Sequence, residues 1–172
     1  MPPPDPLRAL LLEALRLKEL PRAGWVRAGV PAPESVAAHS WGVAWLVLAL
    51  CPPGVDRGRA LALAVLHDLA EVRAGDLTPA DGVPAAEKSA REARALAGLM
   101  GPLEGRAELA GLWREFEARS TPEARFVRAC DKLDMALQAA RYREITGLDL
   151  QEFVDSALGE LTDEALRGLA GG

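Results

Sequence analysis

A chain of 172 residues, 49% apolar and 26% charged, has the size and composition of one globular domain that can bury a substantial core. Its net charge of −5 argues against nucleic acid or an anionic membrane as principal partner, whereas a small phosphorylated ligand needs only local cations. Cys51 and Cys130 lie in apolar settings without CxxC spacing, and no secretion signal is visible, so a reduced, cytoplasmic protein is expected. The longest apolar run, Trp41 to Cys51, falls short of the roughly 18 residues that a membrane span requires.

Asp5 as N-cap and Pro6 at the first helical position open a helix that the pattern carries to about Leu20. Pro21 to Pro33 has three prolines and two glycines and reads as an irregular loop, yet it holds Arg22, Trp25 and Arg27. Loops with such residues often touch ligands, although on their own Trp25 reads better as a hydrophobic plug and the arginines as solvated. Ser35 caps a second helix, Val36 to Cys51, which is apolar nearly all round and so expected at the centre of a bundle, with His39 in its first turns. Asp56 caps a third, expected to run unbroken to about Val72, before a loop from Gly75 to Pro84.

Pro84 opens an amphipathic helix to Met100, in which Glu87 and Lys88 fall by default on the solvated face. A fifth helix is expected from Pro102 to Glu117. Ser120 and Glu123 form a capping-box signal, with Pro122 at an early helical position, for a helix to about Ile145. Within it Asp131, Asp134 and Gln138 project on nearly one side, either inward or, for Asp131 beside Lys132, to solvent. Gly147 ends that helix, and Asp149 to Leu169 reads as one or two weaker ones. With no convincing strand, the fold class is all-α: one domain over 1–172, with a core of about 7–155 and a C-terminal helical segment of about 149–169.

The chemistry concentrates in Ala60 to Pro79, where an apolar helix carries His67, Asp68 and Glu71, and Asp76 follows one loop later. At about 100° per residue, Glu71 falls roughly 40° from His67 and roughly 60° from Asp68, on one narrow face. Ionisable groups beside such a core are costly unless something pairs with them, and a divalent metal is the natural partner. The only other histidine, His39, also lies in a strongly apolar helix.

The order His39, His67-Asp68, Asp131, on separate helices, resembles the metal-binding pattern of the HD-domain phosphohydrolases. More specific are PRAGW at 21–25, ESVAAHS at 34–40, HDLAEVRAGDLTP at 67–79, Glu87-Lys88, TPEARFVRACDKLDMALQA at 121–139, and LDLQEF near the C-terminus. Together these resemble the HD-domain 5′-deoxynucleotidase family from about residue 15 to about residue 155. The resemblance implies an HD-domain helical bundle with His39, His67, Asp68 and Asp131 as metal ligands, Glu71 and Asp76 as catalytic carboxylates, and Arg22 and Trp25 at phosphate and sugar. It implies a nucleoside monophosphate substrate and a homodimer. One departure stands at Ala38, where the family usually has Glu; with Ser35 three residues earlier, its loss bears on helix capping more than on chemistry.

Two imidazoles and two carboxylates suit one divalent ion among Mn, Co, Fe, Ni, Zn and Mg, with positions left for water and a phosphate oxygen. Glu71 is then placed to orient or deprotonate the water, Asp76 to protonate the departing nucleoside oxygen, and Arg22 to hold phosphate in a two-pronged contact; the two acid-base roles can be exchanged. Two histidines are too few for the dinuclear and cyclic-dinucleotide HD enzymes, which draw on further histidine ligands. A guanosine-tetraphosphate pyrophosphohydrolase would carry an acidic pair where Val72 follows Glu71. A non-catalytic nucleotide-sensing HD module would not need Glu71 and Asp76 intact.

Overall fold

In the computed structural model, which describes residues 5–171, several helices begin where a side-chain oxygen accepts a backbone N–H two or three positions on. Asp5 caps α1 (Pro6–Ala14) and Ser35 caps α3 (Val36–Leu50). Asp56 caps α4 (Arg57–Leu66) and Thr121 caps α8 (Pro122–Thr146). Each such cap satisfies a donor that the helix cannot, worth about 1 kcal/mol. The cap of α8 is Thr121 and not the expected Ser120: Ala124 N–H donates to Thr121 Oγ1 at 3.1 Å, while the Ser120 N–H that a box would use donates to Glu115 O and Glu123 accepts from Asp56 N–H at 2.9 Å.

The remaining helices are α2 (Ala23–Arg27), α5 (Glu71–Ala74), α6 (Ala85–Met100), α7 (Arg106–Ala118), α9 (Gln151–Glu160) and α10 (Glu164–Gly171). Among the described residues the only extended pairing is one antiparallel bridge, Pro21 with Ser35. The fold is all-α. The first helix is shorter than expected, giving way to a 3₁₀ turn over Leu15–Lys18. The fifth predicted helix starts at Arg106 and not at Pro102.

At about 1.5 Å per residue α8 is roughly 37 Å long, and it packs against α3, α4, α7, α9 and α10. Val43, Val47, Leu63, Leu96, Trp113, Phe116 and Val127 fill the main core on one side of it. Trp25, Tyr142, Leu150 and Phe153 make a second cluster that ties the N-terminal loop to α8 and α9. Gly147, at φ 73°, supplies the left-handed residue that stops α8 and turns the chain into α9.

Two expectations about helix environment fail. Helix α3 is not enclosed all round: Val36, His39, Val43 and Val47 are buried, but Trp41 and Trp45 are 70% and 55% exposed. Trp41, Trp45 and the half-exposed Leu48 recur at i, i+4 and i+7, a second apolar stripe on the outer face. Residues 21–33 are not all loop either. Ala23 N–H donates to Asp76 Oδ2 at 2.8 Å, which gives α2 a capping acceptor from 53 residues away. Gly29, at φ 78°, closes α2 as Val30 N–H reaches back to Trp25 O.

Candidate metal centre and its cleft

The third predicted helix was expected to continue to Val72, but α4 stops at Leu66. The His67 ring explains the break: its Nδ1–H donates to Ala64 O at 2.8 Å, the carbonyl that the Asp68 N–H would use in a continuing α-helix. Beyond it the backbone tightens to i→i+3 bonds, from Leu69 to Leu66, Glu71 to Asp68 and Val72 to Leu69. In that geometry i and i+3 eclipse, which brings Asp68 and Glu71 to one side.

His39, one turn into α3, His67 and Asp68, just past the end of α4, and Asp131, in the middle of α8, converge. His67 Nε2 stands 3.4 Å from His39 Nε2 and 3.2 Å from Asp68 Oδ2. His39 Nε2 is 3.2 Å from Asp131 Oδ1 and 3.6 Å from Asp68 Oδ2. Both rings are essentially buried. Each has its other nitrogen engaged, His67 Nδ1 by Ala64 O and His39 Nδ1 by Asp134 Oδ2 at 2.7 Å, so both Nε2 atoms point into the cluster.

Four electron-rich atoms this close repel one another unless a cation lies among them. Burial and the Arg22 charge push the His39 pKa down, but hydrogen bonds to Asp131 and Asp134 outweigh them and leave it at about 9, so without metal a proton fills that need. Burial alone would raise Asp68 and Asp131, yet the neighbouring imidazoles hold both below the usual carboxylate range. Asp68 Oδ2 is nevertheless buried without a hydrogen-bond partner. The ligand atoms of His39, His67 and Asp131 lie within 4.8 Å of one another. Their mixed nitrogen and oxygen chemistry fits a divalent transition ion, which would displace the His39 proton on binding.

Asp68 and Asp131 of the cluster line a cleft of about 440 Å³, within the range of small-molecule sites. Arg22 reaches over it, 3.5 Å from Asp68 Oδ2 and 3.8 Å from Asp76 Oδ2. Glu71 is buried with Oε2 unpartnered, and burial, then Asp68 and Asp76, push its pKa well up. Trp25 reaches the cleft but is only 2% exposed, its Nε1–H donating to Glu34 Oε1 and its ring 4.3 Å from that of Phe153. Its reading as a hydrophobic plug therefore holds.

Lys88 corrects another expectation. It does not lie on a solvated face: its Nζ donates to Leu77 O at 3.1 Å, pairs with Glu92 at 3.5 Å and lines the cleft. Burial lowers its pKa, but Glu92 and Glu71 outweigh that and leave it raised. Glu87 does face solvent, paired with Arg91. Arg128, unremarked in the sequence, donates to Asp131 Oδ2 at 3.0 Å, and its i, i+3 spacing from Asp131 was the only signal available.

An all-α bundle with a His/Asp cluster at the foot of a nucleotide-sized cleft defines a helical protein with a metal site. The chain belongs to the HD domain family, which residues 14–167 match. It is 40% identical over 158 residues to the 5′-deoxynucleotidase HDDC2 of Danio rerio, covering 90% of this chain and 79% of that one. With hdd1 of Schizosaccharomyces pombe, also a 5′-deoxynucleotidase, identity is 38% over 80% of this chain and 74% of the relative. A crystal structure of a protein from Pyrococcus horikoshii OT3 superposes with TM-score 0.79 at 35% identity, over 95% of this chain and 93% of that one. The crystal structure of a predicted metal-dependent phosphohydrolase from Magnetospirillum magnetotacticum MS-1 gives TM-score 0.77 at 29% identity, over 96% of this chain and 88% of that one.

Proposed function

We propose that the chain, acting as a single HD domain, removes the 5′-phosphate from deoxynucleoside and nucleoside 5′-monophosphates. It is a metal-dependent hydrolase of phosphoric monoesters. The observation that carries the substrate assignment is the cleft: acids that fit a divalent ion share its lining with two partly buried cations, Arg22 and Lys88, which suit one phosphate.

His39, His67, Asp68 and Asp131 would hold one divalent ion, which supplies positive charge to the phosphate and acidifies water. Arg22 and Lys88 take the outward phosphate oxygens, orienting the ester for attack from the Glu71 side. Water's oxygen bonds to phosphorus as the ester P–O bond breaks. Glu71 takes the water proton, and burial with the Asp68 and Asp76 charges raises its proton affinity. Asp76, fixed by the Ala23 N–H, gives a proton to the leaving nucleoside oxygen. The Trp25 edge packs against the sugar and crowds a 2′-hydroxyl. Phosphate release from a panel of deoxy- and ribonucleoside 5′-monophosphates, with guanosine tetraphosphate and cyclic dinucleotides as controls, tests the reading with and without added metal. Release from the monophosphates alone, dependent on metal, is expected; turnover of either control in their place overturns it.

We also place the reaction in the cytoplasm, in a homodimer. Both cysteines are free, and burial pushes the Cys130 thiol up to about 12, which keeps it inert. Among the described residues no helix is long and apolar enough to cross a membrane. The exposed Trp41, Trp45 and Leu48 stripe of α3 supports self-association, since a second copy would cover it. Sedimentation of wild type and Trp41→Glu tests this, with dimer expected for the first and monomer for the second.

A further inference from the structure

We infer that Asp134 is a positioning residue for the metal centre, fixing the His39 ring in one orientation and tautomer, and that Gly42 is the gap in α3 through which its carboxylate reaches the ring. The inference rests on the reading of His39 as a metal ligand. The two imidazoles of the cluster are oriented by different devices. His67 is held by a carbonyl of its own helix, Ala64 O, at 2.8 Å. His39 has no such local acceptor engaged; its Nδ1–H donates to the Asp134 carboxylate, 95 residues away, at 2.7 Å.

Asp134 lies three residues beyond Asp131, so one face of α8 addresses both nitrogens of a single ring. Asp131 Oδ1 stands 3.2 Å from Nε2 while Asp134 Oδ2 takes Nδ1. With the Nδ1 proton held by a charged acceptor, the Nε2 lone pair is directed at the cluster.

That contact needs α3 and α8 to come closer than a side chain between them would allow. Gly42 follows His39 by three residues, on the same side of α3. A methyl group built there would overlap Asp134 Oδ1 and stand 2.9 Å from its Cγ. The carboxylate is the free end of a side chain and can swing away from such a methyl, but swinging away takes it off His39. Glycine inside a helix is otherwise unfavourable relative to alanine, so its presence here marks a close approach.

The test is calorimetric titration of the metal-stripped full chain with Co²⁺, alongside thermal unfolding, for Asp134→Ala, Asp134→Asn, Gly42→Ala, the Gly42→Ala/Asp134→Ala double variant and His39→Ala. Asp134→Ala is expected to weaken Co²⁺ binding about 10- to 100-fold. Asp134→Asn, which keeps the volume and one acceptor oxygen, should lose less. Gly42→Ala should weaken binding like Asp134→Ala, and the double variant should bind no more weakly than Asp134→Ala alone. In the Asp134→Ala background the added methyl has room, and the better helix former should raise Tm. Multiplying losses in the double variant would overturn the shared route. Wild-type Co²⁺ affinity in Asp134→Ala and Asp134→Asn, with binding lost in His39→Ala, would overturn the positioning role and leave the ligand assignment standing. Unchanged affinity in His39→Ala would remove the ligand assignment itself, and this inference with it.

Discussion

A buried acid faces each end of helix α4, and the two are built to opposite rules. At the start of the helix Glu115 has both oxygens occupied: Arg59 donates to each and the Thr121 hydroxyl to one. The Arg59 hydrogen bond, against a small cost of burial, holds the Glu115 pKa below its ordinary value. Past the other end, Glu71 and Asp68 each keep a buried oxygen with no hydrogen-bond partner, and burial with like charge drives Glu71 upward. Burial alone does not separate structure from chemistry. The difference lies in whether the charge is answered from within the fold or left for something to be bound.

The largest expected effect comes from emptying the unanswered end. Replacing His39, His67, Asp68 or Asp131 with alanine should abolish turnover and lower metal content, read by metal analysis of purified protein; full metal occupancy and full turnover in His39→Ala would dissolve the contrast. Next, Glu71→Gln should retain metal but lose about 100- to 10,000-fold in turnover, because the amide cannot take a proton. The same change should raise Tm, since it removes an ill-matched buried charge. Loss of metal in this variant would make Glu71 a ligand's support and not the base.

A smaller effect is expected above the floor of the cleft. Arg22→Ala should raise KM for all monophosphates alike without altering the deoxy-to-ribo ratio of kcat/KM. Trp25→Phe, chosen because truncation to alanine would open the second core cluster, should narrow that ratio, which a crowding contact limits to roughly 100-fold in the first place. An unchanged ratio would leave Trp25 as a core residue only.

The smallest effect belongs to the answered end. Glu115→Gln should leave kcat/KM as in wild type and lower Tm by about 2–4 °C, the shift that roughly 1 kcal/mol of lost hydrogen bonding gives a chain of this size. Because folding lowers the Glu115 pKa, its contribution is complete above the unfolded carboxylate value and fades as pH falls through the folded one. The gap in Tm between wild type and variant should therefore close in acid. A gap that widened there would show that the acid does not stabilise as an anion.

What the sequence made legible follows from how local each cause is. Ser35, Asp56 and Pro84 announce helix starts with signals confined to a few residues, and the structure starts helices beside them. His39 and His67 stood out because nothing in an apolar helix explains an imidazole. The break at Leu66 was hidden because it depends on where one ring turns, and periodicity still reads as helix on both sides. Lys88 was assigned to solvent because, although Glu92 is its i+4 neighbour on α6, the Leu77 carbonyl that draws it to the cleft comes near only when the 75–84 loop folds back over α6. Helix α2 was missed for a similar reason, its capping acceptor lying at Asp76.

That last contact has a partner. Besides Ala23 N–H on Asp76, Arg27 Nη1 donates to Thr78 Oγ1 at 2.8 Å, so two segments more than 50 residues apart are fastened together at both ends of α2. The segment bearing Arg22 and the one bearing Asp76 are a matched pair in assembly. Grafting either segment alone from a relative would separate Arg22 from Asp76 even if every side chain in the cleft were kept. To alter the specificity of this enzyme by loop exchange, both must be transplanted as one cassette.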